Sequence, residues 1–149
     1  MAYVLIGILV IGAALGLLGV RTSTVEASGG GLTLMVLHAS ITRPGLATPF
    51  SVTVMADDGT LPEEITVRLA THYLEMFDQN AVEPEPDRST VDEESVRWTY
   101  EDLSDRGEMT VLLDARLEPA VQWGRRTTVG LEVEGEEVVE THLATWVLP

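Results

Sequence analysis

The side chains able to do chemistry in this 149-residue chain are few and scattered. Histidines stand at 38, 72 and 142, none in an H-x-x-x-H pattern and each on a different expected element, so they read as structural rather than as a metal site. No serine lies in a G-x-S-x-G elbow or an S-x-x-K. Lysine and cysteine are both absent, so the usual activated nucleophiles are missing. Carboxylates are plentiful, but a glycosidase needs two of them across an aromatic-lined cleft, and aromatics make up only 5% of the residues. The chain therefore reads as a non-enzyme without a cofactor, with a secreted hydrolase the least favoured function.

Two other groups could bind. Asp78-Gln79-Asn80 forms a D-x-N, and Asp57, Asp58 and the acids of 83 to 94 add hard oxygen donors of the kind calcium takes. The full twelve-residue calcium loop is missing, so Asp78 and Asn80 stand only as candidate metal ligands. Trp123 precedes Gly124-Arg125-Arg126, an indole beside two guanidinium groups. Trp123, Arg125 and Arg126 can together grip a carboxylate, and they are the candidate partner-binding residues. Trp98, between Arg97 and Thr99, is instead expected to face the core.

Nine arginines face 24 acids, a formal charge of −15. Such a field repels phosphate, which disfavours nucleic acid and adhesion to an anionic membrane surface. Without cysteine there are no disulfides or thiolate metal sites, and the redox compartment stays open.

Residues 3 to 20, YVLIGILVIGAALGLLGV, carry no charge. As a helix they extend ~27 Å, close to the ~30 Å of a hydrocarbon core, so one transmembrane anchor is expected over residues 1 to 21. Val25-Glu26-Ala27 before Ser28 resembles a leader cleavage site, but no basic residue precedes the apolar run, and a retained anchor is the better reading. Gly12, Gly16 and Gly19 fall on one face of such a helix, where small residues let another helix approach. With the bulk of the chain beyond the anchor, the C-terminal domain is expected outside the cytoplasm.

Residues 22 to 31, ending in three glycines, read as a flexible linker. Beyond them period-two alternation dominates. It marks strands at 32 to 36, 50 to 54, 65 to 69, 96 to 100, 109 to 117, 127 to 133 and 138 to 147. Turn residues separate several of them, at Thr42-Arg43-Pro44-Gly45, at Asp57 to Pro62 and at Asp105-Arg106-Gly107. Residues 71 to 94 begin with what could form a single helical turn around Tyr73 to Phe77. They continue as an acidic, proline-containing stretch expected to be a mobile loop, most of all over 83 to 94.

About seven strands over residues 32 to 149 imply an all-β antiparallel sandwich, and the pattern resembles an immunoglobulin-like fold over 32 to 148. More narrowly, the run Tyr73 to Asn80 with Pro84-Glu85-Pro86, and the run Asp114 to Gly124, look like small single-pass membrane-anchored proteins of actinobacteria. That group has no assigned activity, and no active site comes with the resemblance. The resulting expectation is a module at the cell membrane that binds a protein partner, as an accessory subunit of a membrane protein. The alternative is an extracytoplasmic sensor for a ligand or Ca²⁺.

Overall fold

The computed structural model describes residues 2–14, 19–121 and 123–148. After a short helix, α1 (Ala2–Ala14), the order is β1 (Arg21–Gly29), β2 (Leu32–Thr42), β3 (Phe50–Ala56) and β4 (Ile65–Ala70). A single helical turn α2 (Thr71–Leu74) leads to β5 (Phe77–Glu83), β6 (Arg88–Val91) and β7 (Ser95–Tyr100). The chain closes with β8 (Glu108–Leu117), β9 (Arg125–Val133) and β10 (Glu136–Val147).

Alternation builds the layers. Along β8, Met109, Val111, Leu113, Ala115 and Leu117 are buried while the residues between them face solvent. Antiparallel pairing lines such rows up, Val52 opposite Val111 and Val67 opposite Leu131. One layer runs β5-β8-β3-β2, with β1 beside β2, and the other runs β10-β9-β4-β7-β6. Their inner faces meet in one core, from Leu34, Val36, Val54 and Val111 on one side to Ile65, Leu69, Trp98 and Leu131 on the other. The domain is an all-β sandwich, and Trp98 is buried in it as expected.

The layers join along a seam where β10 runs parallel to β2, with Trp146 opposite Ile41 and Val147 opposite Thr42. Tyr73 of α2 plugs this seam. Its ring lies 5.2 Å from Phe77 in an edge-on contact and 6.1 Å from Phe50. Thr145 donates to the Ala39 carbonyl at 2.7 Å, so the Tyr73 hydroxyl donates to Thr145 Oγ1 at 2.8 Å. Burial pushes the Tyr73 phenol up to about 12.

All seven expected strands are present, and the described residues hold three more that the alternation does not reveal. The expected linker is β1, paired antiparallel with β2 from Arg21 opposite Ile41 to Gly29 opposite Leu32. Its glycines are a turn rather than a tether, since Gly30 and Gly31 both have positive φ, 60° and 78°, in a two-residue hairpin. Gly29 is equally constrained, because a Cβ there would meet the Val138 carbonyl at 2.5 Å. Val25 and Ala27, at the expected cleavage site, pack against the core from β1. Cutting after Ala27 would strip the strand of all but its last two residues.

The expected mobile loop over 71 to 94 is ordered as α2, β5 and β6. Asp92 organises the turn after β6 by accepting from the Glu94 and Ser95 amides at 2.9 and 2.7 Å and from Arg97 at 2.6 Å. Those bonds hold its carboxyl at about 2.

The expected membrane-crossing helix is not found among the described residues. α1 has 13 residues, a rise of ~20 Å against the ~30 Å of a hydrocarbon core. No helix of the described residues is long and apolar enough to cross a membrane. Gly12 is the one member of the expected glycine face that lies in α1. Gly19 follows at a bend, and Gly16 lies outside the described residues.

Candidate functional site

The register places a particular set of residues at one end of the sandwich. β1 starts there with Arg21 opposite Ile41, and Ile41 pairs with Trp146 of β10. β9 also starts there, and the segment leading into it crosses β10 closely. A Cβ on Gly124 would lie 1.9 Å from the Thr145 carbonyl oxygen and 2.8 Å from the Trp146 Cα. Glycine is thus the residue that lets this segment lie on β10, and doing so lifts Trp123 into solvent, where it is 82% exposed.

Arg125 and Arg126 diverge. Arg125 turns inward to the protein, donating to the His72 carbonyl and to Glu75 Oε2 at 3.2 Å. Arg126 points the other way on the strand, exposed, and makes no ion pair among the described residues. Its peptide carbonyl accepts from His72 Nε2 at 3.0 Å, which ties α2 to β9. Between them, on the outer face of β9 and β10, is a shallow groove of about 690 Å³ lined by His72, Arg126, Thr128, His142 and Ala144. His142 stands opposite Thr128 and Ala144 opposite Arg126.

Of the candidate partner-binding residues, Trp123 and Arg126 are therefore presented to solvent, while Arg125 is engaged in holding α2. Three further residues belong to the site: Trp146, 60% exposed, and the histidines at 72 and 142. Trp146 shares strand parity with His142 and Glu140, and that alternation was the available signal for an outward indole. His38 lies elsewhere, buried in β2 near the seam, with Nδ1 3.2 Å from the Ala39 carbonyl. Burial holds its pKa below the usual histidine value.

Chemically the site offers two indole surfaces and one guanidinium fork with no anion on it. Such a fork binds a carboxylate through two parallel hydrogen bonds. The candidate calcium ligands are arranged differently. Asp78 sits opposite Arg116, and the Asn80 amide donates to Asp114 at 3.3 Å. Among the described residues no group of three His, Asp or Glu side chains could hold a metal ion.

The outer face of the second layer uses most of the other cations. Arg68 reaches Glu132 at 3.4 Å, Glu140 at 3.0 Å, and Glu137. Arg97 bridges Asp92 and Glu132, and Arg88 bridges Glu64 and Glu101. Gly130 clears the path for the first of these, because a Cβ there would lie 3.0 Å from the Arg68 guanidinium.

No family model and no curated protein matches the chain. Among solved structures it is similar to a non-cellulosomal cohesin from the hyperthermophilic archaeon Archaeoglobus fulgidus. The identity is 10%, the match covers 87% of this chain and 92% of that one, and the TM-score is 0.45.

Proposed function

We propose that this protein is a non-catalytic β-sandwich, held at the cell membrane by its apolar N-terminal residues, that binds a protein partner outside the cytoplasm as an accessory subunit of a membrane protein. The observation that carries the reading is Trp123, held out into solvent by Gly124 next to an Arg126 with no ion pair among the described residues. Tryptophan and arginine are enriched at binding hot spots, tryptophan because it buries a large rigid surface beside a polar N–H and arginine because its planar fork pairs bidentately with a carboxylate. The 82% exposed indole of Trp123 lies near that of Trp146, 60% exposed, so the two leave an aromatic surface in water that a partner would cover. The apolar run of residues 3 to 20 supports the membrane location, since Tyr3, Val4, Leu5, Ile6, Ile8, Val10 and Ile11 of α1 all expose more than half their surface.

The test is site-specific photo-cross-linking from position 128, beside the groove, in membranes of the native host. One discrete protein adduct is expected, and Trp123→Ala should weaken it at least tenfold, as removal of a hot spot worth ~2 kcal/mol requires. An adduct unchanged in Trp123→Ala and in Arg126→Ala, with the fold intact by circular dichroism, would refute the assignment.

A further inference from the structure

The residues expected to be a slack linker are a strand, and this changes how the sandwich meets whatever holds its N-terminus. Ten flexible residues would reach ~35 Å, enough to let the domain swing clear of a bilayer. Instead Arg21 is already locked into the sheet opposite Ile41, and the apolar run ends one residue earlier at Val20. The end of the sandwich that carries Arg21 is therefore attached to that run by a single peptide link.

This end has a distinctive surface. Trp146 is 60% exposed, and Leu46 and Leu148 are each 38% exposed. Leu46 belongs to the loop from β2 to β3, and the Leu148 amide donates to the Thr42 carbonyl at the same end of β2. Five of the nine arginines form ion pairs: Arg68, Arg88, Arg97, Arg106 and Arg125. The four that form none among the described residues are Arg21, Arg43, Arg116 and Arg126, and the register puts all four at this end.

We infer that the rim formed by Arg21, Arg43, Leu46, Trp146 and Leu148 lies in the headgroup layer of the bilayer that holds the N-terminal segment, so that the sandwich stands on the membrane in one orientation. Indoles settle at headgroup depth because one edge is apolar and the N–H is polar, and arginine pairs with lipid phosphate. The net charge of −15 does not oppose this. Asp57, Asp58 and Glu134 lie at the far end of strands such as β2, whose 11 residues span about 36 Å, several times the ~8 Å screening length of physiological salt. At the near end Glu75 is taken by Arg125, and Asp78 faces Arg116. Glu118 follows β8, and the acidic turn Asp92-Glu93-Glu94 lies against α2 beside His72 and Thr128, with Asp92 bonded to Arg97, while the strand it precedes, β7, is three strands from β10. The contact puts the groove on the outer face of β9 and β10 at the membrane plane, within reach of an integral membrane partner.

The inference rests on the membrane attachment proposed above, and the experiment separates the two. The full chain is mixed with phosphatidylcholine vesicles made with or without lipid that carries a nitroxide on its choline headgroup, which quenches indoles at headgroup depth. The chain has three tryptophans, none in residues 1 to 20, and Trp98 is buried in the core. A Trp123→Phe variant is expected to float with the vesicles and to lose emission in the nitroxide-labelled lipid. The loss should disappear when Trp146→Phe is added, and should shrink in Arg21→Ser/Arg43→Ser. If Trp123→Phe floats with undiminished emission, the attachment stands and the rim contact is refuted. If the chain does not float, both are refuted.

Discussion

The bond chain from Tyr73 through Thr145 to Ala39 makes a prediction whose sign can be checked. All three groups are buried, with Tyr73 at 0%, Ala39 at 1% and Thr145 at 2% exposure. Because Thr145 donates to Ala39, the tyrosine must donate to Thr145, and the three groups form a directed relay across the seam. Tyr73→Phe removes one neutral hydrogen bond but leaves the Thr145 bond in place, at a cost of about 1 kcal/mol. Thr145→Val keeps the shape, removes the bond to Ala39, and leaves the phenol donor stranded in an apolar plug. The lost bond costs ~1 kcal/mol and the stranded hydroxyl adds ~1 to 3, a total of about 3 kcal/mol.

The double variant has no stranded phenol. It is expected to be more stable than Thr145→Val alone by about 1 kcal/mol, so that the second substitution rescues the first. Urea unfolding of the four proteins, followed by near-ultraviolet circular dichroism, measures this cycle directly. If the costs simply add, or if Thr145→Val costs no more than Tyr73→Phe, the relay does not hold the seam. The same phenol gives a pH signature. Its folded pKa of about 12 lies above the ordinary value of 10.0, so its contribution is complete below pH 10 and is lost as pH rises toward 12. Tyr73→Phe should remove part of that alkaline loss. Tyr100, also held at about 12 by burial, accounts for another part.

Gly124→Ala places a Cβ against the Thr145 carbonyl, so the segment must lift from β10, and the expected result is loss of the cross-link from position 128 with the melting temperature nearly unchanged. Asp92→Asn should raise amide exchange at Glu94 and Ser95. In the unmodified protein the protection of these amides, taken relative to their intrinsic exchange rate at each pH, should fall as pH drops below the ordinary carboxylate value of 3.8 toward about 2, because a depressed folded pKa stabilises only above that range. Removing residues 1 to 31 uncovers the β2 edge along Leu32 to Ile41, and light scattering should then show aggregation. A chain starting at Gly19 keeps β1 in place and should not show it.

How far the fold was legible depends on burial. The seven strands seen in the sequence each bury one face or both, and that burial writes apolar residues at every second position. β1, β5 and β6 read RTSTVEASG, FDQNAVE and RSTV, and they are exposed along most of their length. They lie at the edges of the layers, where an apolar pattern would invite pairing with other chains, so the residues that protect the fold also hide the strands. β1 still left a local signal, glycines between Ala27 and Leu32 with alternation on both sides, the chemistry of a tight hairpin. The site was legible in part for a related reason. Trp123 announces itself as a large aromatic in a polar loop, whereas the groove needs His72 and His142, brought together only when α2 folds across β9.

Net charge misleads for a similar reason, because it belongs to the composition while the field belongs to the fold. Counting 24 acids against nine arginines predicts repulsion from any anionic surface. The sandwich distributes its cations unevenly. Arg68, Arg97 and Arg88 are drawn into a ladder where acids outnumber them, and Gly130 is kept bare so that the first can cross a strand to its partners. The four arginines without an ion pair among the described residues fall at one end of the sandwich, Arg21, Arg43 and Arg126 where β1 enters and β10 ends, and Arg116 opposite Asp78 at the end of β8. A chain that is uniformly acidic on paper thus folds into a domain with one end where exposed indoles and arginines without ion pairs gather, and the entry point of the apolar segment decides what that end faces.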